Sequence, residues 1–290
     1  MGIEPGSQAW GWALTLGAAL CWSAFDVARK RLVAEIAPLP LTVALAIAQI
    51  PLFLLWALLD GAVLPDPAAY LVPGLVVLAA NSGASVLFFW SLARADLGRA
   101  VPMLSLTPAW SALLAAFWLG EQPPLTAWVG IALVVVAAVL LALRRGGSGR
   151  SWDLGTLAMG LVALFWAITS VGDKAALAVC PGAWHATVQT AALAVLLGGF
   201  TVARGQAKAM LAPRRLWPTF ASGTVVSVAA LGLQLGALLH LHVGVMEAGK
   251  RAFGMVAAVL LGRLLFGERP GWREAVAVGL MIPGVWLLGA

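Results

Sequence analysis

Three ionisable side chains, Glu247, Lys250 and Arg251, fall inside one apolar stretch, residues 243–266. Their i, i+3, i+4 spacing places them on one face of a helix. A charge at a bilayer centre costs at least about 2.5–3.5 kcal/mol on insertion scales, so such residues face a cavity or a partner. Two chemistries fit the spacing. Lys250 or Arg251 pairs with the carboxylate or phosphate of a solute in a cavity, or Glu247 and Lys250 form an internal ion pair that only holds helices together. Asp26, one turn after Trp22, is a further carboxylate in an apolar run. A carboxylate facing a dry cavity holds a proton more readily, which makes Asp26 or Glu247 the candidate proton carrier. Otherwise Asp26 pairs with Arg29 or Lys30 at the end of its helix.

Uncharged polar groups recur inside other apolar runs: Gln49, Asn81, Gln189 and Gln234. They line the same cavity or bond across helices, at about 0.6 kcal/mol each on average. Trp22 and Trp166 lie away from the ends of their runs and offer flat walls or cation–π contact to a solute, or else pack helices. No metal or other cofactor is expected. His240 and His242 have no further ligands near them in sequence and read as a loop. Cys21 and Cys180 stand far apart and read as packing thiols. There is no Walker-type nucleotide loop and no His-Glu-x-x-His.

These residues need elements that cross a bilayer. Of 290 residues, 62% are hydrophobic and 10% charged, whereas soluble domains are about 45–50% apolar and about 25% charged. A soluble enzyme, a nucleic-acid-binding domain and a disordered chain are therefore excluded, leaving the lipid bilayer and a small-molecule substrate as expected partners. Uncharged runs occupy residues 5–25, 36–59, 67–93, 100–120, 122–143, 154–172, 186–203 and 216–239. Residues 243–266 add a charged ninth span, and 275–290 a tenth if its helix starts near Trp272. About 20 residues cross the hydrocarbon core, so the expectation is an all-α integral membrane protein of ten transmembrane helices. Fifteen Lys and Arg lie on one set of alternate loops, against Lys174 on the other. Basic loops stay in the cytoplasm, which directs both termini outward. Asp173 and Lys174 end the sixth span and are expected at the membrane edge.

The chain also repeats itself. Trp22–Lys30 aligns with Trp166–Lys174 at an offset of 144, Leu71-Val-Pro73 with Leu216-Trp-Pro218, and Gly120-Glu-Gln-Pro123 with Gly267-Glu-Arg-Pro270. Gln49 and Gln189 fall at similar depth. Residues 1–146 and 147–290 thus read as two five-helix repeats. Five is odd, so the second copy is inverted, a plan that puts a substrate site between the halves near the midplane. Glu121 and Glu268 read as structural, capping the next helix start or pairing with a loop Arg. Pro123 and Pro270 suit the first turn that follows.

With these motifs the chain resembles the drug/metabolite transporter superfamily, in its two-repeat EamA-type branch. The carrying residues are Trp22 and Trp166, Thr107-Pro108, Leu119-Gly-Glu-Gln-Pro123 and Phe266-Gly-Glu-Arg-Pro270. The resemblance implies export or exchange of small metabolites such as amino acids, nucleotide sugars or phosphorylated sugars. Many members are thought to keep their termini in the cytoplasm, opposite to the charge count. Where Pro108 stands, the second half has Ala252, beside Lys250-Arg251. The expectation is a secondary transporter, not an enzyme, in a bacterial inner membrane, taking a solute with an anionic group by alternating access. A lipid-modifying membrane enzyme and a channel or structural subunit are the alternatives. Substrate, direction, coupling ion and oligomeric state are left open.

Overall fold

The computed structural model describes residues 5–92, 94, 103–143, 154–211, 213–266 and 272–289. Ten α-helices are seen among them: α1 Pro5–Leu32, α2 Pro38–Leu59, α3 Pro67–Leu92, α4 Thr107–Trp118, α5 Leu125–Leu143, α6 Leu154–Leu177, α7 Gly182–Ala203, α8 Trp217–Leu238, α9 Val243–Phe266 and α10 Trp272–Gly289. Six of these (α1, α2, α3, α6, α7 and α8) are long and apolar enough to cross a membrane on those grounds alone. α4 is only 12 residues, about 18 Å at 1.5 Å per residue. A 3₁₀ turn, Leu104–Leu106, precedes it.

Local chemistry sets the breaks. Proline opens α2 and α3, where its missing N–H costs no helix bond. Asp66 accepts the Ala68 N–H at 3.0 Å and caps α3. Gly61 and Gly205 follow α2 and α7 with φ of +60° and +72°, the left-handed conformation that glycine enters without a Cβ penalty. They too stand 144 apart.

The most extensive contacts join the halves. α3 packs on α6, α1 on α8, α2 on α7, α5 on α10 and α4 on α9, with α1 also on α9 and α4 also on α6. Exchanging each helix with its counterpart five further on maps this pattern onto itself. It takes α1·α8 to α6·α3 and α1·α9 to α6·α4, and leaves α2·α7, α4·α9 and α5·α10 unchanged. The two repeats are therefore interleaved. Close crossings use small residues, as membrane helices do. A Cβ on Gly244 would sit 2.4 Å from the Ala112 Cβ, and one on Gly130 would sit 2.7 Å from the Gly284 carbonyl oxygen. The outer surface is apolar: Phe117 is 92% exposed, Leu59 78% and Val195 77%, which suits lipid.

Candidate functional site

α9 carries its charges to the centre of this crossing. Lys250 Nζ donates to Glu247 Oε1 at 2.7 Å and to Gln234 Oε1 of α8 at 2.8 Å. Trp22 Nε1 of α1 donates to the same Gln234 oxygen at 3.0 Å. Ser170 Oγ of α6 donates to Glu247 Oε1 at 2.6 Å. One hydrogen-bonded chain thus joins α1, α8, α9 and α6, and so both halves. Glu247 and Gln234 are buried. Lys250 is partly open at 20%, and two of its three N–H groups are engaged, leaving one donor.

Arg251 takes a different partner. One terminal nitrogen donates to the Leu104 carbonyl oxygen at 2.8 Å. That oxygen also accepts the Thr107 hydroxyl at 2.8 Å, so the 3₁₀ turn before α4 turns a backbone acceptor towards α9. Glu247 and Asp26 supply the negative charge that acts on Arg251. A guanidinium has five N–H donors, and only this one bond is seen among the described residues. Leu104 also belongs to the cluster that holds Trp166, whose indole lies against Phe88 with centroids 5.6 Å apart. Asn81, on α3, is partly open, and its side chain makes no hydrogen bond to another described residue.

The other sequence candidates lie apart from this chain. Asp26 pairs with Arg29 at 2.8 Å, with side chains 60% and 43% exposed. This is the helix-end pair, local to α1. Gln49 Nε2 donates to Ser227 Oγ at 2.6 Å, tying α2 to α8. Gln189 Nε2 donates to Tyr70 Oη and to the Gly74 carbonyl, both at 2.9 Å, tying α7 to α3. The two glutamines join symmetry-related helix pairs, but Gln189 stands about one turn nearer its helix start. Gly232 and Gly236 face Trp56 and Leu14 inside the bundle.

Glu121 corrects an expectation. Among the described residues it neither caps the next helix nor meets an Arg. It bonds Lys174 of α6, and its Oε2 accepts the Val243 N–H at 2.9 Å, capping α9. Lys174 also donates to the Leu241 carbonyl at 2.7 Å, and His242 Nδ1 lies 3.6 Å from Glu121. Burial raises the Glu121 pKa, but His242, Lys174 and the Val243 N–H outweigh that and hold it below the ordinary carboxylate value. Pro123 lies before α5 rather than in its first turn, and Leu125 opens the helix. Glu268 and Pro270 lie outside the described residues. Asp173 is likewise not at an open membrane edge. Its side chain is 6% exposed and accepts His185 Nε2–H at 2.9 Å.

Sequence reasoning missed three partners: Ser170, the Leu104 carbonyl and the His185–Tyr70 pair. His185 stands alone near the start of a span, and Tyr70 is the single tyrosine of the chain. Those two facts were the available signal for the pair. Nothing in the sequence marks Leu104.

The profile of the EamA-like transporter family matches residues 9–143 and again 153–290. The chain belongs to the EamA-like transporter family. As a member it is an integral membrane transporter with two five-helix repeats in inverted arrangement. A solved structure described as "Crystal structure of protein" is similar in fold, with a TM-score of 0.78 and 21% identity over 96% of this chain and 97% of that one. No curated protein matches the chain.

Proposed function

We propose that this EamA-type protein is a secondary transporter that exports or exchanges small organic metabolites, amino acids or related zwitterionic and anionic solutes, by alternating access. The observation that carries the reading is the polar chain Trp22–Gln234–Lys250–Glu247–Ser170, which bridges both halves beside the α4·α9 crossing. Glu247 bonds Lys250 directly, while Arg251 makes its one hydrogen bond among the described residues to a neutral carbonyl and meets the charges of Glu247 and Asp26 only at longer range. Arg251 is therefore the stronger anchor for a carboxylate or phosphate. The remaining Lys250 N–H and the Asn81 amide supply further bonds, and Trp22 and Trp166 the apolar walls. Gln49 and Gln189 serve as ties outside this site.

The basic loops place the α1 end and the α8 start in the cytoplasm and both termini outside, in a bacterial inner membrane. The Glu121–Lys174 cluster then lies on the outer face. The test is a thermal-stabilisation screen of the purified protein against a metabolite library, repeated on Lys250→Ala and Arg251→Ala. A solute that stabilises the unmodified protein, but neither variant, identifies the substrate and the site together. Saturable counterflow of that solute in proteoliposomes separates a transporter from a channel, which shows none. A solute that stabilises all three proteins alike would remove α9 from the site.

A further inference from the structure

A second buried polar chain lies away from α9. Gln189 Nε2 spends both of its N–H groups, one on the Gly74 carbonyl and one on Tyr70 Oη. Tyr70 Oη, already an acceptor, has its own proton left for His185 Nδ1, 2.8 Å away. Nδ1 therefore accepts, and Nε2–H donates to Asp173 Oδ1 at 2.9 Å. Every donor has one acceptor, and the polarity runs one way from Gln189 to Asp173. The chain ends on a carboxylate 6% exposed beside an imidazole 2% exposed.

No Lys or Arg compensates that carboxylate among the described residues. Lys174, the next residue, is turned to Glu121 and the Leu241 carbonyl. Tyr70 on α3 bonds the pair, and Cys180 in the α6–α7 turn packs with Tyr70; of the other ionisable groups packed on α6, His242 before α9 lies against Glu121, and Glu247 on α9 is bonded to Ser170. α2 and α8 contain no charged side chain. A buried carboxylate without a cation is expensive. One proton would remove the charge.

We propose that Asp173, His185 and Tyr70 form the proton-binding site that couples transport. This rests on the transporter reading above. A proton entering from the α6–α7 turn binds His185 Nδ1 and makes an imidazolium beside Asp173. Tyr70 Oη then changes from donor to acceptor, and its hydroxyl proton loses its partner. A buried hydroxyl left without an acceptor is costly, so proton binding loosens the contact of α3 with α7. Loading the proton and freeing this face are one event.

The test has two arms on the full chain. In detergent, with nitrogen-15 histidine, one imidazole of the three is expected to carry its proton on Nε2 at high pH and to gain a second on acidification. Asp173→Asn, which removes the adjacent opposite charge, is expected to make that second proton harder to bind. No imidazole of that tautomer, or a titration untouched by Asp173→Asn, overturns the proposal. The tautomer is read on the unmodified protein, so this arm stands even where Asp173→Asn does not fold.

In proteoliposomes, counterflow of a radiolabelled L-amino-acid mixture without a gradient tests the transporter reading by itself. A one-unit pH gradient is then expected to drive up to about tenfold accumulation in one of its two polarities. His185→Gln can still donate to Asp173 and accept from Tyr70 but cannot be protonated. It is expected to keep counterflow and lose the gradient response. Counterflow that ignores the gradient, or a response that survives His185→Gln, overturns the coupling. Absence of counterflow removes the transporter reading and the coupling with it, while proton binding stands or falls on the first arm.

Discussion

The ends of α1 and α6 occupy equivalent places in the two repeats, yet their charges behave differently. At the end of α1, Asp26 and Arg29 pair three residues apart with both side chains largely open. At the end of α6, Lys174 reaches Glu121 across 53 residues and the Leu241 carbonyl across 67. Asp173 meets His185 of the next helix. The first pair belongs to one helix. The second cluster welds α6 to the end of α4, the start of α9, α7 and α3. The repeats share helix placement, and the difference between them lies in polar ties, which duplication of a helical framework leaves free to diverge.

The largest expected effect breaks the tied side. Glu121→Ala leaves Lys174 and the Val243 N–H without their acceptor. Loss of one partner of a largely buried pair costs about 3 kcal/mol or more, so the thermal unfolding midpoint in detergent falls by several degrees. Arg29→Ala removes an exposed pair worth about 0–1 kcal/mol and is expected to leave that midpoint nearly unchanged. Equal losses would show that the two ends are not distinct in strength.

Next is the α4·α9 crossing beside the tied end. Gly244→Val brings carbon against the Ala112 Cβ and backbone. Overpacking costs about 1–3 kcal/mol, measured as a lower unfolding midpoint. Gly254→Ala meets only Ser23 Oγ at 3.7 Å and is expected to be tolerated. Beside the central chain, Arg251→Ala removes a charged hydrogen bond, worth about 1.5–3 kcal/mol. That corresponds to roughly 10–100-fold weaker binding of an anionic solute, read by stabilisation titration.

Acid separates the two ends more gently. Glu121 has a folded-state pKa below its unfolded value. Its stabilisation is full above the ordinary carboxylate pKa of about 4.3 and is lost as pH falls through the folded value. Unfolding midpoints should therefore drop below about pH 4, and Glu121→Gln should flatten that limb. The smallest effect concerns Cys180. Burial pushes its thiol up to about 11, and the thiolate is the reactive form. Maleimide labelling of Cys180 at neutral pH should be slow and should accelerate when Tyr70→Phe loosens its surroundings.

The spans were legible because a bilayer imposes a length of apolar chain, a property of consecutive residues. The tenth helix includes Trp272, as its length required. The repeat was legible too, and the Gly61–Gly205 pair of left-handed helix ends extends it at the same offset. Helical spacing put Glu247 and Lys250 on one face and left open whether they pair or meet a solute; the structure pairs them. Asp173 was misplaced because its partner begins the next helix, and the turn between them decides whether they face. Glu121 was assigned the wrong helix because the cap it makes lies 122 residues away.

The sequence alone determined ten membrane helices, their duplication and the apolar exterior. Each follows from hydrophobicity and backbone chemistry acting over a few turns. Only the tertiary structure decided that Trp22 meets Gln234 across 212 residues, that Leu104 offers its carbonyl to Arg251, and that Asp173, His185 and Tyr70 join. A hydrogen bond acts over about 3 Å, and which groups come that close depends on how interleaved helices cross, information that no local pattern carries.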